Sequence, residues 1–238
     1  MKEFCDKAVE YGRRKNSRLV LALDLFCEEI DCKDIPRKIV SILDDLRKYV
    51  AGVKFGLPTI LTMQRGVLKE IIDVFKSEYF FIADMKIADI GYVSRVLVKI
   101  VKAVGFDAVI SHAIIGYDAL KEVVDEAKTE GIGVLSVCAM SHKGAEEAIN
   151  TLFTKNLEIS VKAGVDGFIL PATMPKYIME ARRIYREHLI FSPGVGIQGA
   201  SPGSAVRAGA DFEIVGRTLY TSESPLDIAM KIVDKLRW

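Results

Sequence analysis

Apolar residues along this chain alternate between two spacings. Short runs rich in β-branched and aromatic residues occur at 19–25, 51–55, 79–86, 107–111, 133–138, 167–170, 189–192 and 212–215. Between and after them, apolar positions recur with helical spacing near 37–49, 59–76, 91–103, 117–129, 143–163, 175–187, 199–208 and 225–237. The first spacing predicts strands and the second amphipathic helices. Several of the strand runs are apolar on both faces, as in a parallel sheet covered by helices. Gly105, Gly131, Gly164 and Gly209 each stand two or three residues before a run, where a helix must end and turn. Eight such units predict a single (β/α)8 TIM barrel, preceded by a short polar helix over 1–14, rather than an open doubly wound sheet.

No Pro/Gly/Ser-rich linker or charge block divides the chain, so 1–238 is expected to be one domain. Half of its residues are hydrophobic, enough for a large core. A formal net charge of +1 points to no basic face for nucleic acid or an anionic membrane, and favours a small-molecule partner. Residues 1–14 lack the apolar centre of a signal peptide, and no apolar run is long enough to span a bilayer. A cytoplasmic protein is expected. The four cysteines, Cys5, Cys27, Cys32 and Cys138, are expected as free thiols; Cys27 and Cys32 have no histidine at the spacing a metal site would need.

Charged residues fall where a barrel places its chemistry, at the carboxyl ends of the strands. Asp24 closes the first run, Lys54 the second, and Asp84 and Lys86 the third, with Asp89 just beyond. A period of two sends Asp84 and Lys86 out of the same face. Buried charges cost several kcal/mol apiece unless paired, so alternating signs would keep all four ionised. A structural salt-bridge network is the plainer alternative.

A second group lies at the last two strand ends. Pro193, Gly194, Gly196, Gln198 and Gly199 follow the seventh run, and Gly216 and Arg217 the eighth. Glycines admit close approach of backbone N–H groups, and an arginine offers a fork of donors matched to phosphate. Ser141, after the fifth run, would either cap the next helix or donate to a ligand. His112 and His142 stand near the same end of the barrel but lack a third metal ligand, and His188, at the opposite end, is expected to be structural.

Taken together, Leu-Asp24, Val-Lys54-Phe-Gly, Asp84-x-Lys86-x-x-Asp89-Ile90, Pro193-Gly-Val-Gly-x-Gln198-Gly and Val-Gly216-Arg217 resemble the orotidine 5′-phosphate decarboxylases over the whole chain. The resemblance implies decarboxylation of orotidine 5′-phosphate to uridine 5′-phosphate in pyrimidine biosynthesis, without metal or organic cofactor. It implies that Lys86 protonates C6, that Asp84 faces the substrate carboxylate, and that Lys54 and Asp24 contact the ribose. Ile90, Ser141, Pro193, Gly194, Gly196, Gln198, Gly216 and Arg217 join them as substrate contacts, Arg217 at the phosphate. Asp89 is implied to reach the neighbouring subunit's site, hence a homodimer. The chain departs from many microbial relatives at Gly91-Tyr92-Val93, where they read Pro-x-Thr. A related group, the magnesium-dependent 3-keto-gulonate 6-phosphate decarboxylases and hexulose-phosphate synthases, shares DxKxxD but carries an acidic residue where this chain has Lys54. That group is the alternative reading.

Overall fold

The computed structural model describes residues 2–28 and 30–238; Met1, at the start of the expected first helix, lies outside them. Eight parallel strands, β1 (Leu19–Leu23), β2 (Gly52–Gly56), β3 (Phe80–Ile87), β4 (Ala108–His112), β5 (Gly133–Val137), β6 (Gly167–Ile169), β7 (Leu189–Pro193) and β8 (Phe212–Val215), pair in chain order. The barrel closes where β8 pairs with β1. Around it run α1 (Lys2–Arg14), α2 (Ile35–Asp45), α3 (Leu57–Thr62), α4 (Arg65–Phe75), α5 (Gly91–Val104) and α6 (Tyr117–Glu130). The circuit continues with α7 (Phe153–Ala163), α8 (Pro175–Ile184), α9 (Ser204–Ala208), α10 (Arg217–Tyr220) and α11 (Pro225–Val233). The expected (β/α)8 barrel is therefore the fold.

Three helical stretches differ from expectation, each for a local reason. The 59–76 stretch is two helices, broken at Met63 and Gln64, whose backbones are extended. The 143–163 stretch opens with two short 3-10 turns, Lys143–Glu147 and Ile149–Leu152, before α7. There the Asn150 amide bonds both the N–H and the C=O of Met140, at 2.9 and 3.0 Å, a side-chain grip that competes with a continuous helix. Of 199–208 only α9 is helical, because Gly199 and Gly203 take positive φ and Pro202 lies between them.

At the amino end the barrel is filled by aromatic rings. Phe80, Phe191 and Phe212 point inward from β3, β7 and β8, with Phe191 and Phe212 stacked at 4.8 Å and Phe80 edge-on to Phe212 at 5.6 Å. Phe4 of α1 meets Phe80 at 5.9 Å, so the N-terminal helix closes this end. Large rings need small neighbours. A Cβ at Gly52 would lie 2.2 Å from the Phe80 ring, and one at Gly133 would lie 2.6 Å from Phe4.

A repeated clasp stitches the same end. Gly105-Phe106-Asp107, Gly164-Val165-Asp166 and Gly209-Ala210-Asp211 precede β4, β6 and β8. Each glycine ends a helix at positive φ, and each aspartate turns back on the strand before its own. The Asp107, Asp166 and Asp211 N–H groups donate to the carbonyls of Phe81, Val134 and Ile190, each at 2.9 Å. Their carboxylates accept from the N–H groups of the same three residues, at 2.8, 2.8 and 2.7 Å. Lys7 and Arg182 neutralise Asp107 and Asp211. Among the described residues Asp166 makes no ion pair, and burial pushes its carboxyl up to about 6.

One cysteine expectation is corrected. Cys27 and Cys32, expected as free thiols, are joined by a disulfide across the turn that follows β1, their Cα atoms 4.7 Å apart. The turn, not their spacing, brings them together. Cys5 and Cys138 are free. Among the described residues no helix is long and apolar enough to cross a membrane.

The Asp166 clasp gives a test. Asp166→Ala leaves the buried Val134 N–H without an acceptor and is expected to cost about 1–3 kcal/mol in chemical denaturation. Asp166→Asn keeps an acceptor. Because the folded pKa is raised, the wild-type carboxyl contributes most below about pH 4 and its contribution declines as pH rises through its folded value. The stability difference should therefore move in favour of Asp166→Asn over that interval.

Candidate active site

Strand register sets the site. Residues 22 and 24, 54 and 56, and 82 and 84 share the inward face, and the pairing places Ala22 beside Lys54, and Gly56 beside Asp84. The Lys54 ammonium lies 2.8 Å from Asp84 Oδ2 and 3.6 Å from Asp24 Oδ1. The Lys86 ammonium is 2.8 Å from both Asp84 oxygens. The four charges form one chain, Asp24, Lys54, Asp84, Lys86, with the inner two 6% exposed and the outer two opening toward solvent. Burial pushes the Asp84 carboxyl up, but Lys54 and Lys86 outweigh it and hold its pKa below the ordinary carboxylate value. Burial likewise pushes Lys54 down, and Asp84 and Asp24 outweigh that too, so its pKa ends above the ordinary lysine value.

Two backbone features make room for this chain. At Gly56 a Cβ would stand 1.6 Å from Asp24 Oδ1, so only glycine lets the Asp24 carboxylate fold over β2 toward Lys54. The β3–β4 pairing is interrupted between Ala83 and Ile87, and within that bulge Lys86 takes φ +43°. Bulges re-aim side chains at barrel rims, and positive φ in a residue with a long side chain is strained. Ser111 holds the far side of the bulge, donating to the Ile87 carbonyl at 3.0 Å.

These charges line one wall of a cavity of about 490 Å³ at the carboxyl end of the barrel. Ser141, Pro193, Gly194, Gln198, Gly216 and Arg217 line the same cavity. Arg217 begins α10, is exposed, and makes no ion pair with a protein carboxylate among the described residues. The 194–203 loop beside it is folded on itself: Gly196 N–H donates to Ala200 O at 2.9 Å, and Ala200 N–H to Gly194 O at 3.1 Å. Apolar side chains, among them Ile110, Val137, Ile169 and Ile214, form the floor.

Three expected residues are not on the cavity wall. Gly196 lies inside the loop, where a Cβ would collide with the Thr218 hydroxyl at 2.1 Å. Asp89 and Ile90 are exposed on the outside, Ile90 at 67%. Gly91 fits its place because a Cβ there would meet the Glu122 carboxyl at 2.2 Å, a group that pairs with Arg95. The sequence reading missed Thr218, whose hydroxyl accepts from Ile197 N–H at 3.1 Å, and Phe26, next to the disulfide. Thr218 directly follows Gly216-Arg217, a signal that was available. His142 is exposed. Burial, and then Lys86, keep the His112 imidazole below its ordinary pKa. His188 stacks on Phe168 at 5.0 Å, a structural role as expected.

Comparison with known proteins gives consistent matches. The model of the orotidine 5′-phosphate decarboxylase / HUMPS family matches residues 17–232. The chain is 36% identical over 223 residues to the orotidine 5′-phosphate decarboxylase of Methanococcoides burtonii, covering 93% of this chain and 98% of that one. It is 34% identical over 220 residues to that of Pyrococcus furiosus, covering 92% and 97%. The crystal structure of the Methanocaldococcus jannaschii orotidine 5′-monophosphate decarboxylase complexed with the inhibitor BMP superimposes with a TM-score of 0.83 at 31% identity, covering 92% of this chain and 98% of that one.

The charge chain makes acid stability measurable. With its folded pKa below the unfolded value, Asp84 contributes stability that is full above about pH 4 and is lost as pH falls through the folded value. Wild type should therefore exceed Asp84→Asn in stability by a constant margin near neutrality. In urea titrations at decreasing pH that margin should shrink.

Proposed function

The chain belongs to the orotidine 5′-phosphate decarboxylase / HUMPS family, and from the cavity it builds we propose that it decarboxylates orotidine 5′-phosphate to uridine 5′-phosphate, a step of pyrimidine synthesis. The observation that carries the proposal is the Lys86 ammonium, held at 2.8 Å on both oxygens of a buried carboxylate in the wall of a cavity of about 490 Å³.

Loss of CO₂ from C6 of orotidylate leaves a lone pair in the plane of the ring, outside its π system. Resonance offers no sink, so charge must be met by charge. On this reading Lys86 already stands where the C6 anion develops, stabilises it without reorganising solvent, and gives it a proton. Asp84, fixed between two ammonium groups, opposes the substrate carboxylate, and departure of CO₂ relieves that repulsion. Lys54 and Asp24 bond the ribose hydroxyls, and Lys54 also helps keep Asp84 ionised. Ser141 and Gln198 meet the pyrimidine, and Gln198 also reaches toward the phosphate. Pro193, Gly194, Gly196, Gly216 and Arg217, which makes no ion pair among the described residues, bind the phosphate end. A proton donor alone supplies no more than about 5 kcal/mol, whereas slow reactions need up to roughly 23. Phosphate binding energy that positions the ring must supply part of the rest.

The family also contains metal-dependent sugar-phosphate enzymes, and the donor set argues for the decarboxylase. Asp24 and Asp84, the carboxylates that converge here, are both engaged by the Lys54 ammonium, which would repel a divalent cation. We read 1–238 as one catalytic domain working as a homodimer in the cytoplasm. Tyr92, Val96 and Ile100 form an exposed apolar stripe at helical spacing on α5, flanked by Ile90, Ile114 and Tyr117. A second copy covering that stripe would carry Asp89 and Ile90 into the neighbouring cleft, which accounts for their place outside their own. Val93 brings no hydroxyl to that contact, and the adjacent Ser94 spends its own on the Asp89 carbonyl at 3.0 Å.

Purified protein should consume orotidylate, followed by ultraviolet absorbance, at the same rate with and without EDTA. Turnover of a keto-sugar phosphate that requires Mg²⁺, with none of orotidylate, would overturn the proposal. Arg217→Ala should lower kcat/KM by the equivalent of about 1.5–3 kcal/mol, one charge-assisted hydrogen bond. For the dimer, mixing inactive Lys86→Ala with inactive Asp89→Ala protein should restore part of the activity; continued inactivity would contradict a shared site.

A further inference from the structure

Glu213 is a fully buried carboxylate that the proposed mechanism does not use. It lies on β8, between the inward-facing Phe212 and Ile214, so its side chain points outward into the layer beneath α9. It is 0% exposed and forms no ion pair with a lysine or arginine among the described residues. Its partners are three backbone N–H groups. Oε2 accepts from Gly203 at 2.9 Å, and Oε1 accepts from Ala205 at 2.9 Å and Val206 at 3.2 Å. A buried carboxylate without an ion-pair partner is costly; burial pushes this one up, and the three donors, with Arg207 after them, only partly pull it down.

A five-residue helix does not by itself call for such a group, since a serine or aspartate at its start would cap it locally. The capping position is Gly203, which has no side chain to do so, and the Ser204 hydroxyl at the first helical position is buried without a partner among the described residues. The carboxylate comes instead from β8, the strand that leads directly into Gly216 and Arg217. What it fixes is the point where the 194–203 loop rejoins the barrel. A second tie from the same segment, Thr218 Oγ accepting from Ile197 N–H at 3.1 Å, holds the middle of the loop. The loop and the arginine are thus referenced to one strand end.

We propose that Glu213 is a positioning residue for the phosphate end of the substrate: by clamping Gly203, Ala205 and Val206 to β8 it holds the 194–203 loop in register with Arg217, so that the two form one cradle before substrate arrives. This rests on the decarboxylase reading and adds to it a residue that touches no substrate. Preorganisation of this kind lowers the cost of seating the phosphate; once seated, the phosphate positions the ring over the charges on β3 as before, so the rate at saturation changes little.

The test is Glu213→Gln, in which one of the two terminal atoms becomes a donor facing a backbone N–H. Orotidylate kinetics should show KM raised at least about fivefold, the lower bound for one unsatisfied buried donor, with kcat at saturation little changed. Inhibition by uridine 5′-phosphate should weaken by the same factor, while inhibition by uridine, which lacks the phosphate, should not change. Glu213→Asp, which keeps the charge on a shorter arm, should fall between and serves if the glutamine variant does not fold. Unchanged KM in the folded variants, or equal weakening of uridine and uridine 5′-phosphate, would overturn the proposal while leaving the decarboxylase reading intact. Wild-type protein without orotidylate turnover would overturn the reading itself, and this assignment with it.

Discussion

Asp84 is a carboxylate almost sealed from water and gripped by two ammonium groups, and the rest of the site is arranged so that this grip can exist. Desolvating each ion costs several kcal/mol, and removing one partner from a buried pair costs about 3–5. Lys54, buried with Asp84, cannot be displaced cheaply. The grip aims Lys86 at the cleft, keeps Lys54 from acting as a base, and carries Asp24 with it through Lys54. Gly56 and the bulge in β3 are the backbone adjustments that allow it. Strain at Lys86, where φ is +43°, is sustained because the carboxylate fixes the far end of the side chain.

The barrel divides its labour along its axis. The amino end is built for rigidity: interlocked phenylalanine rings, a helix that closes the opening, and three Gly-x-Asp clasps that tie β3 to β4, β5 to β6 and β7 to β8. The carboxyl end carries the charges and the glycine-rich loop, over an apolar floor that keeps water away. Electrostatic catalysis needs donors that do not move when charge appears, and a stiff scaffold beneath them supplies that condition.

Much of this was legible in the sequence because it depends on periodicity. Eight strand runs in order, and charges at their ends, follow from spacing alone, and Asp24, Lys54, Asp84 and Lys86 converge as that spacing implied. What was hidden depends on contacts between distant residues. The bulge that re-aims Lys86 arises from pairing with β4, the break-up of 143–163 from the Asn150 side chain reaching Met140, and the Cys27–Cys32 bond from a turn that no spacing rule specifies. Glu213, a charge in a short apolar strand, has its role only through three N–H partners that sequence spacing does not supply. The Gly-x-Asp repeat was visible as a pattern, and its glycines alone were read as turn signals. Asp89 and Ile90, expected at the site from their place after β3, lie off the wall of the cavity.

The most direct measurement is the rate of orotidylate decarboxylation at saturating substrate by the Asp84→Asn variant, which keeps the shape of the side chain and removes the charge that holds Lys86 and Lys54. A pre-set electrostatic site requires that rate to fall by at least about a hundredfold, the scale on which removing one preorganised group acts. A rate within a few-fold of wild type would contradict the account, because it would mean that the grip on the two lysines is structural and the chemistry lies elsewhere.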